Sequence, residues 1–160
     1  MTAPITPYTS YLGDRDPLVA IRDNLDRTAG LTRRWTSDRF DRSYAPGKWS
    51  ARQILTHLAQ TEMAFGIRAR MTLTTTQYVA QAFDQDSWIA REPRMSGPEA
   101  LEAFLALGRM NLVFFEGLSS ADRAMSLSHP EYGSLTVDWI LHQSAGHQIN
   151  HLRQLEAIAA

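Results

Sequence analysis

The 160-residue sequence predicts an all-α protein, a four-helix bundle of up-and-down type with a long crossover between its second and third helices. Three observations carry this. Apolar residues recur at three- and four-residue steps in four long segments, the period of a helix with one buried face. Helix-start chemistry opens three of those segments. No strand-like alternation of useful length interrupts them.

The first helix is expected near 16–36. Asp16-Pro17 supplies an N-cap acid and a proline at the first helical position. Leu18, Ile21, Leu25, Ala29, Leu31 and Trp35 then follow the helical period. The segment from Asp38 to Gly47 is polar and ends in a turn at Pro46-Gly47-Lys48, which carries the chain's only lysine. Ser50-Ala51-Arg52-Gln53 is a capping box, and the second helix runs over 50–74 with Ile54, Leu55, Leu58, Phe65 and Met71 on its apolar side. Residues 75–97 have no clean period and form the crossover, which either spans the end of the bundle or covers a site. Ser96-Gly97-Pro98-Glu99 is a second capping box and starts a helix over 98–118. A loop containing His129-Pro130-Glu131-Tyr132-Gly133 precedes the last helix, expected over 135–158. The whole chain, 1–160, is expected to be one domain with its core between about 16 and 158.

Composition bounds the function. Sixteen Lys+Arg face 17 Asp+Glu, a net charge of −1, which removes a strong electrostatic footprint for nucleic acid. Weak or no affinity for DNA is therefore expected. The 44% hydrophobic fraction is enough for a packed core and argues against disorder. No run reaches the ~18–20 apolar residues of a membrane helix, and Met1 to Pro17 shows no basic-then-apolar leader. A cytoplasmic location and no membrane partner are the expectations. Cysteine is absent, so there is no disulfide framework, no thiolate metal site and no cysteine nucleophile. Any metal must be held by histidines and carboxylates, and any thiol chemistry must borrow its sulfur.

The chemistry lies in the five histidines, His57, His129, His142, His147 and His151. His147 and His151 are four residues apart, which places both imidazoles on one face of a helix, one turn apart. Gln148 follows His147 where a zinc-protease helix would carry its glutamate base, so that chemistry is set aside. The stripe that holds the pair also holds Ile140, Ser144, Leu155 and Ile158, which turns it inward. His57 shares a similar stripe with Gln53, Ile54, Thr61 and Ala64. One histidine from one helix and two from another make a three-ligand site with open positions, the pattern of a catalytic rather than a structural metal. His142 points elsewhere and suits a cap or the surface. His129, before Pro130, suits a turn. Gln53, Thr61, Gln143 and Asn150 are candidates to support the ligands. Glu62 lies off the His57 face and is not assigned as a base. Arg70, Asp84, Asp86 and Trp88 are candidates for the mouth of the site.

These residues carry a resemblance. The stretch Pro46-Gly47-Lys48-Trp49-Ser50 through Thr56-His57-Leu58-Ala59 resembles a helix-2 motif of the DinB/YfiT-like superfamily. The stretches His129-Pro130-Glu131-Tyr132-Gly133 and Gly146-His147-Gln148-Ile149-Asn150-His151 resemble its closing motif, and Phe83-Asp84-Gln85-Asp86-Ser87-Trp88 a segment of its crossover. The resemblance spans about residues 16–158. It implies a four-helix bundle of unusual handedness, often dimeric, so a homodimer is expected. It implies a divalent metal, usually zinc or nickel, on His57, His147 and His151. It also implies chemistry on a small-molecule substrate. Characterised members of that superfamily use low-molecular-weight thiols such as bacillithiol and mycothiol, and others are described only as metal-dependent hydrolases. S-transfer from a thiol cosubstrate to an electrophile is the favoured expectation, with metal-dependent hydrolysis and a non-catalytic metal-binding bundle as alternatives. The nucleophile would be a metal-bound water or thiolate, and no protein side chain is assigned as catalytic.

Overall fold

The computed structural model describes residues 5–160, so the first residues of the segment inspected for a leader lie outside it. Four long helices form the bundle: α2 (Pro17–Thr32), α4 (Ala51–Thr74), α6 (Gly97–Glu116) and α8 (Val137–Ala159). Short helices precede or join them: α1 (Pro7–Leu12), α3 (Ser37–Phe40), α5 (Gln85–Ala90) and α7 (Ser120–Ala124). One hairpin, β1 (Ser126–His129) with β2 (Gly133–Thr136), completes the fold.

The start signals act as the sequence predicts. Asp16 accepts from the Val19 N–H at 2.9 Å, and Pro17 opens α2. Ser50 with Gln53, and Ser96 with Glu99, form reciprocal capping boxes at the heads of α4 and α6. Thr136 caps α8 through the Trp139 N–H at 3.0 Å. The first long helix stops at Thr32 rather than near residue 36. Trp35 leaves the helical path to pack on Phe40 of α3, ring centroids 5.7 Å apart.

The principal contacts join α4 to α6, α6 to α2, α2 to α8 and α8 to α4. Around the bundle the order is therefore α2, α6, α4, α8, and the consecutive helices α2 and α4 face each other across a diagonal. So do α6 and α8. Crossing a diagonal needs chain, and residues 33–50 and 117–136 supply it with their own short elements. The core is built from Ile21, Leu25, Ile54, Leu55, Leu58, Phe104, Leu105, Phe115, Ile140, Leu141 and Leu155, all nearly inaccessible to solvent.

The hairpin forms within the segment expected as a loop between α6 and α8, its strands only four residues each. Leu127 and Leu135 face each other across it and both are buried, while the Ser128–Ser134 pair beside them is exposed. Pro130–Tyr132 form a three-residue loop, and Gly133 follows it at φ 73°, the left-handed conformation such a loop requires. The crossover adds to the hairpin edge: Ala80 N–H donates to Ser128 O at 2.8 Å and Ser128 N–H to Tyr78 O at 3.1 Å. This ties residues 78–80 to the hairpin and sets the path of the following segment over the bundle.

Helix α1 packs along α8. Gly146 makes this possible, because a methyl group there would collide with the Tyr8 carbonyl. The glycine before His147 thus admits the α1 backbone against the helix that carries the histidine pair. Among the described residues no helix is long and apolar enough to cross a membrane.

Candidate metal centre

His57 leaves α4, and His147 and His151 leave α8, where these two helices pack together. All three side chains are buried. Their Nε2 atoms converge: His147 Nε2 lies 2.9 Å from His57 Nε2 and 3.1 Å from His151 Nε2. Two nitrogens sharing one ion at ~2.0–2.1 Å would lie about 3 Å apart, so the spacing fits a common cation. Among the described residues this is the one such cluster of three potential metal-ligating side chains.

The protonation state fits as well. Burial, and then the neighbouring His151, push His57 down to about 3. Burial with its two neighbours holds His147 well below the ordinary 6.5. Burial brings His151 down to about 4, although its bond to Gln154 pulls the other way. The three rings are therefore neutral at pH 7. His151 Nδ1–H donates to Gln154 Oε1 at 2.7 Å, which leaves the lone pair on the converging Nε2. Nδ1 of His57 and of His147 finds no hydrogen-bond partner among the described residues. Packing places those rings instead: Trp49 lies 4.8 Å from His57, and Tyr8 stands edge-on 5.0 Å from His147. With the ring protons on Nδ1, three neutral imidazoles present three Nε2 lone pairs to one cation. The donor set suits a divalent transition metal, for which imidazole is a preferred ligand.

These shifts predict a pH dependence. Above pH 6.5 neither the folded nor the unfolded chain protonates these rings. Below 6.5 the unfolded chain takes up protons that the folded, metal-free one refuses, so stability falls as pH drops toward about 4 and then 3. Each histidine removes up to about tenfold from the folding constant per pH unit in that window. The urea midpoint of chelator-stripped protein should fall steadily from pH 6.5 to 4; a flat profile would contradict the burial of neutral rings.

A cavity of about 250 Å³ opens beside His57 and His147. Tyr8, Phe65 and Trp139 give it apolar walls, and Thr61, Gln143, Arg68 and His129 give it polar ones. A second hollow lies past Tyr8, against His151, Gln154, Asn150 and Trp49.

The predicted supporting residues divide. Thr61 lines the cavity one turn past His57, its hydroxyl without a partner among the described residues. Gln143 lines it too and accepts from the Thr6 hydroxyl at 2.5 Å. Asn150 faces the second hollow, and Gln53 is taken up by the cap of α4. Arg70 is not at the mouth: it bonds Asn111 Oδ1 at 2.9 Å and lies over the Phe114 ring, between α4 and α6. Asp84 caps α5 through Ser87 N–H and reaches the cavity, whereas Asp86 faces the second hollow. Trp88 packs on Phe83 away from the histidines. His142 bonds the Asp138 carbonyl at 2.9 Å, in the first turns of α8. The sequence reading missed Gln154, whose three-residue spacing from His151 was available. It also missed Tyr8, which arrives on a helix ahead of the bundle, and the turn of Arg68 and His129 into the cavity.

A family profile described as the DinB superfamily matches residues 20–155. The chain belongs to the DinB superfamily. Among curated relatives, a protein of Oceanobacillus iheyensis named "Putative metal-dependent hydrolase" is 26% identical over 123 residues, 76% of this chain and 72% of that protein. A Bacillus licheniformis protein of the same designation is 25% identical over 123 residues, 75% of this chain and 70% of its own length. The solved structure of YfiT from Bacillus subtilis, described as a probable metal-dependent hydrolase with an unusual four-helix bundle topology, superposes with a TM-score of 0.79. That match covers 89% of this chain and 83% of YfiT at 20% identity, and it establishes the shared fold. The diagonal placement of consecutive helices is how this DinB-superfamily chain realises that fold. All three clustered histidines fall within the matched span.

Proposed function

We propose that this DinB-superfamily protein is a metal-dependent hydrolase of a small molecule, with His57, His147 and His151 holding a divalent ion, zinc or nickel. The observation that carries this reading is the convergence of three buried, neutral Nε2 atoms at the wall of a cavity. The names of the relatives agree with it. When bound, an ion with three neutral ligands keeps its full charge, polarises a substrate oxygen and lowers the pKa of water or of a thiol. The chain does the rest. Gln154 keeps the His151 proton on Nδ1. Tyr8, Phe65 and Trp139 exclude bulk water from the cavity, and Thr61 and Gln143 offer polar atoms that orient the substrate.

A second reading replaces water with a low-molecular-weight thiol and hydrolysis with S-transfer. The absence of cysteine favours it, since the sulfur would then come from outside, and a thiol suits a zinc or nickel site. One experiment separates the two. Metal-loaded protein is assayed for hydrolysis of aryl esters and amides without thiol, and for conjugation of a halo-nitroarene with bacillithiol or mycothiol. Thiol-independent, metal-dependent turnover is the expected result. Conjugation alone would replace it with S-transfer, and metal binding without either activity would make the protein a non-catalytic bundle.

A homodimer belongs to the same proposal. Val19, Ile67, Met110 and Val113 leave apolar surface exposed on α2, α4 and α6. A sedimentation mass near twice the 18.0 kDa chain is expected, and a monomer at all concentrations would rule it out.

A further inference from the structure

Arg68 lies on the His57 face of α4. His57, Thr61, Phe65 and Arg68 follow one another at helical spacing along one wall of the cavity. Eleven residues separate the ends, so the Arg68 backbone is ~16 Å along the axis from that of His57. A long helical side chain leans back toward the helix N-terminus, which brings the guanidinium toward the metal end. The crossover fixes it there. Arg68 Nη2 donates to Gln81 O at 2.6 Å, and the guanidinium lies over the Phe83 ring at 5.8 Å. Its remaining N–H groups have no protein acceptor among the described residues, and no carboxylate there lies within ion-pair distance, although the Glu131 charge acts on it from the rim.

His129 reaches the same cavity from β1. Its Nδ1 accepts the Glu131 backbone N–H at 3.2 Å. An acceptor Nδ1 puts the proton of the neutral ring on Nε2, which is then a donor. Burial, and next the Arg68 charge, keep this ring neutral against the opposite pull of Glu131. The other charged groups at this wall do not fill the gap. Asp84 is engaged with Ser87, and Glu131, whose charge acts on both Arg68 and His129, is exposed at the rim and its carboxylate accepts a hydrogen bond from neither. The cavity thus joins a candidate metal site to a guanidinium that keeps N–H groups free beyond its bond to Gln81 O, with the His129 Nε2 donor on the same wall.

We propose that Arg68 and His129 form a carboxylate-recognition subsite, and that the substrate is a small molecule whose carboxylate lies several bonds from the group that reacts. This rests on the metal-dependent reading of the site. The planar fork of arginine matches a carboxylate through two parallel bonds, and the His129 donor adds a third direction.

The test uses benzoate and its neutral analogue benzamide as probes. Binding to zinc-loaded and chelator-stripped protein is followed by the NMR signals of the Arg68 side chain and the His129 ring. Benzoate should shift both signals in both forms, and benzamide should bind at least about tenfold more weakly. Arg68→Gln should weaken benzoate about tenfold or more, Arg68→Lys should fall between, and His129→Gln should weaken it several-fold. Zinc stoichiometry, measured on every variant, should stay at the wild-type value and reports that each is folded. Equal binding of the two probes overturns the proposal, as does benzoate binding that survives Arg68→Gln. So does binding that vanishes when zinc is stripped, because the metal alone would then be the anion's partner. Failure of the wild-type protein to take up zinc would count against the metal reading and leave the benzoate result on the stripped protein to decide the subsite.

Discussion

The His147→Ala protein should lose its metal. His147 is the middle member of the histidine cluster: its Nε2 is 2.9 Å from that of His57 and 3.1 Å from that of His151, and the ring is buried. Removing it leaves two imidazoles on different helices with a void between them. Loss of a partner that only orients a ligand costs roughly 10–100-fold in metal affinity. Loss of the ligand itself should exceed that, so dialysed His147→Ala protein should hold under about a tenth of an equivalent. Gln154→Ala should fall in the 10–100-fold range, because His151 then loses the acceptor that fixes its tautomer. His142→Ala should keep a full equivalent, since that ring bonds the Asp138 carbonyl elsewhere on α8. Metal analysis after exhaustive dialysis checks all three. A full equivalent on His147→Ala would remove the centre from these residues.

The same residues show how far the sequence could be read. Four helices were legible because each buries a face long enough for the 3.6-residue period to register, and because Asp16, Ser50 and Ser96 mark starts by a local rule. The histidine pair was legible for a related reason: two residues four apart on one helix must share a face whatever the helix packs against. Its convergence with His57 is a tertiary fact, and only the apolar stripes around both hinted at it. The hairpin was not legible. Four-residue strands are too short for alternation to stand out, and the Leu127–Leu135 pair is created by the loop at Pro130–Tyr132. The order of helices around the bundle was beyond reach as well. Capping and periodicity say nothing about which helices become neighbours, and the diagonal arrangement follows from contacts between distant segments. Glu62 shows the limit most clearly. Spacing from His57 says only which way it leaves α4, and its partners come from two other helices.

Replacing Glu62 should destabilise the fold more than it harms the metal centre. The carboxylate is buried among α4, α6 and α8 and lines none of the cavities described above. Ser144 Oγ–H and Gln148 Nε2–H donate to Oε1, both at 2.7 Å, and Asn111 Nδ2–H donates to Oε2 at 2.9 Å. Gln148 is the residue after His147, where a zinc-protease helix would present a base, and here it is spent holding α8 to α4. Glu62→Ala strands the Ser144 and Gln148 donors in the interior and opens a cavity; at 1–3 kcal/mol for each orphaned group the loss should be about 3 kcal/mol or more. Glu62→Gln tests the chemistry at nearly constant volume. Its amide oxygen can still accept from Ser144 and Gln148, while its amide nitrogen meets the Asn111 donor. Asn111 keeps the Glu62 backbone carbonyl at 2.8 Å, and its own Oδ1 is engaged by Arg70, so it cannot simply flip. One mismatched pair should cost about 1–2 kcal/mol. Urea unfolding with an unchanged slope should rank the proteins wild type, Gln, Ala. Metal stoichiometry should be retained in Glu62→Gln, because this network sets the packing of α4 against α8 without touching a ligand nitrogen. If Glu62→Gln were as stable as wild type but had lost its metal or its turnover, the carboxylate would act at the site, and the reading of Glu62 as a clamp between helices would fall.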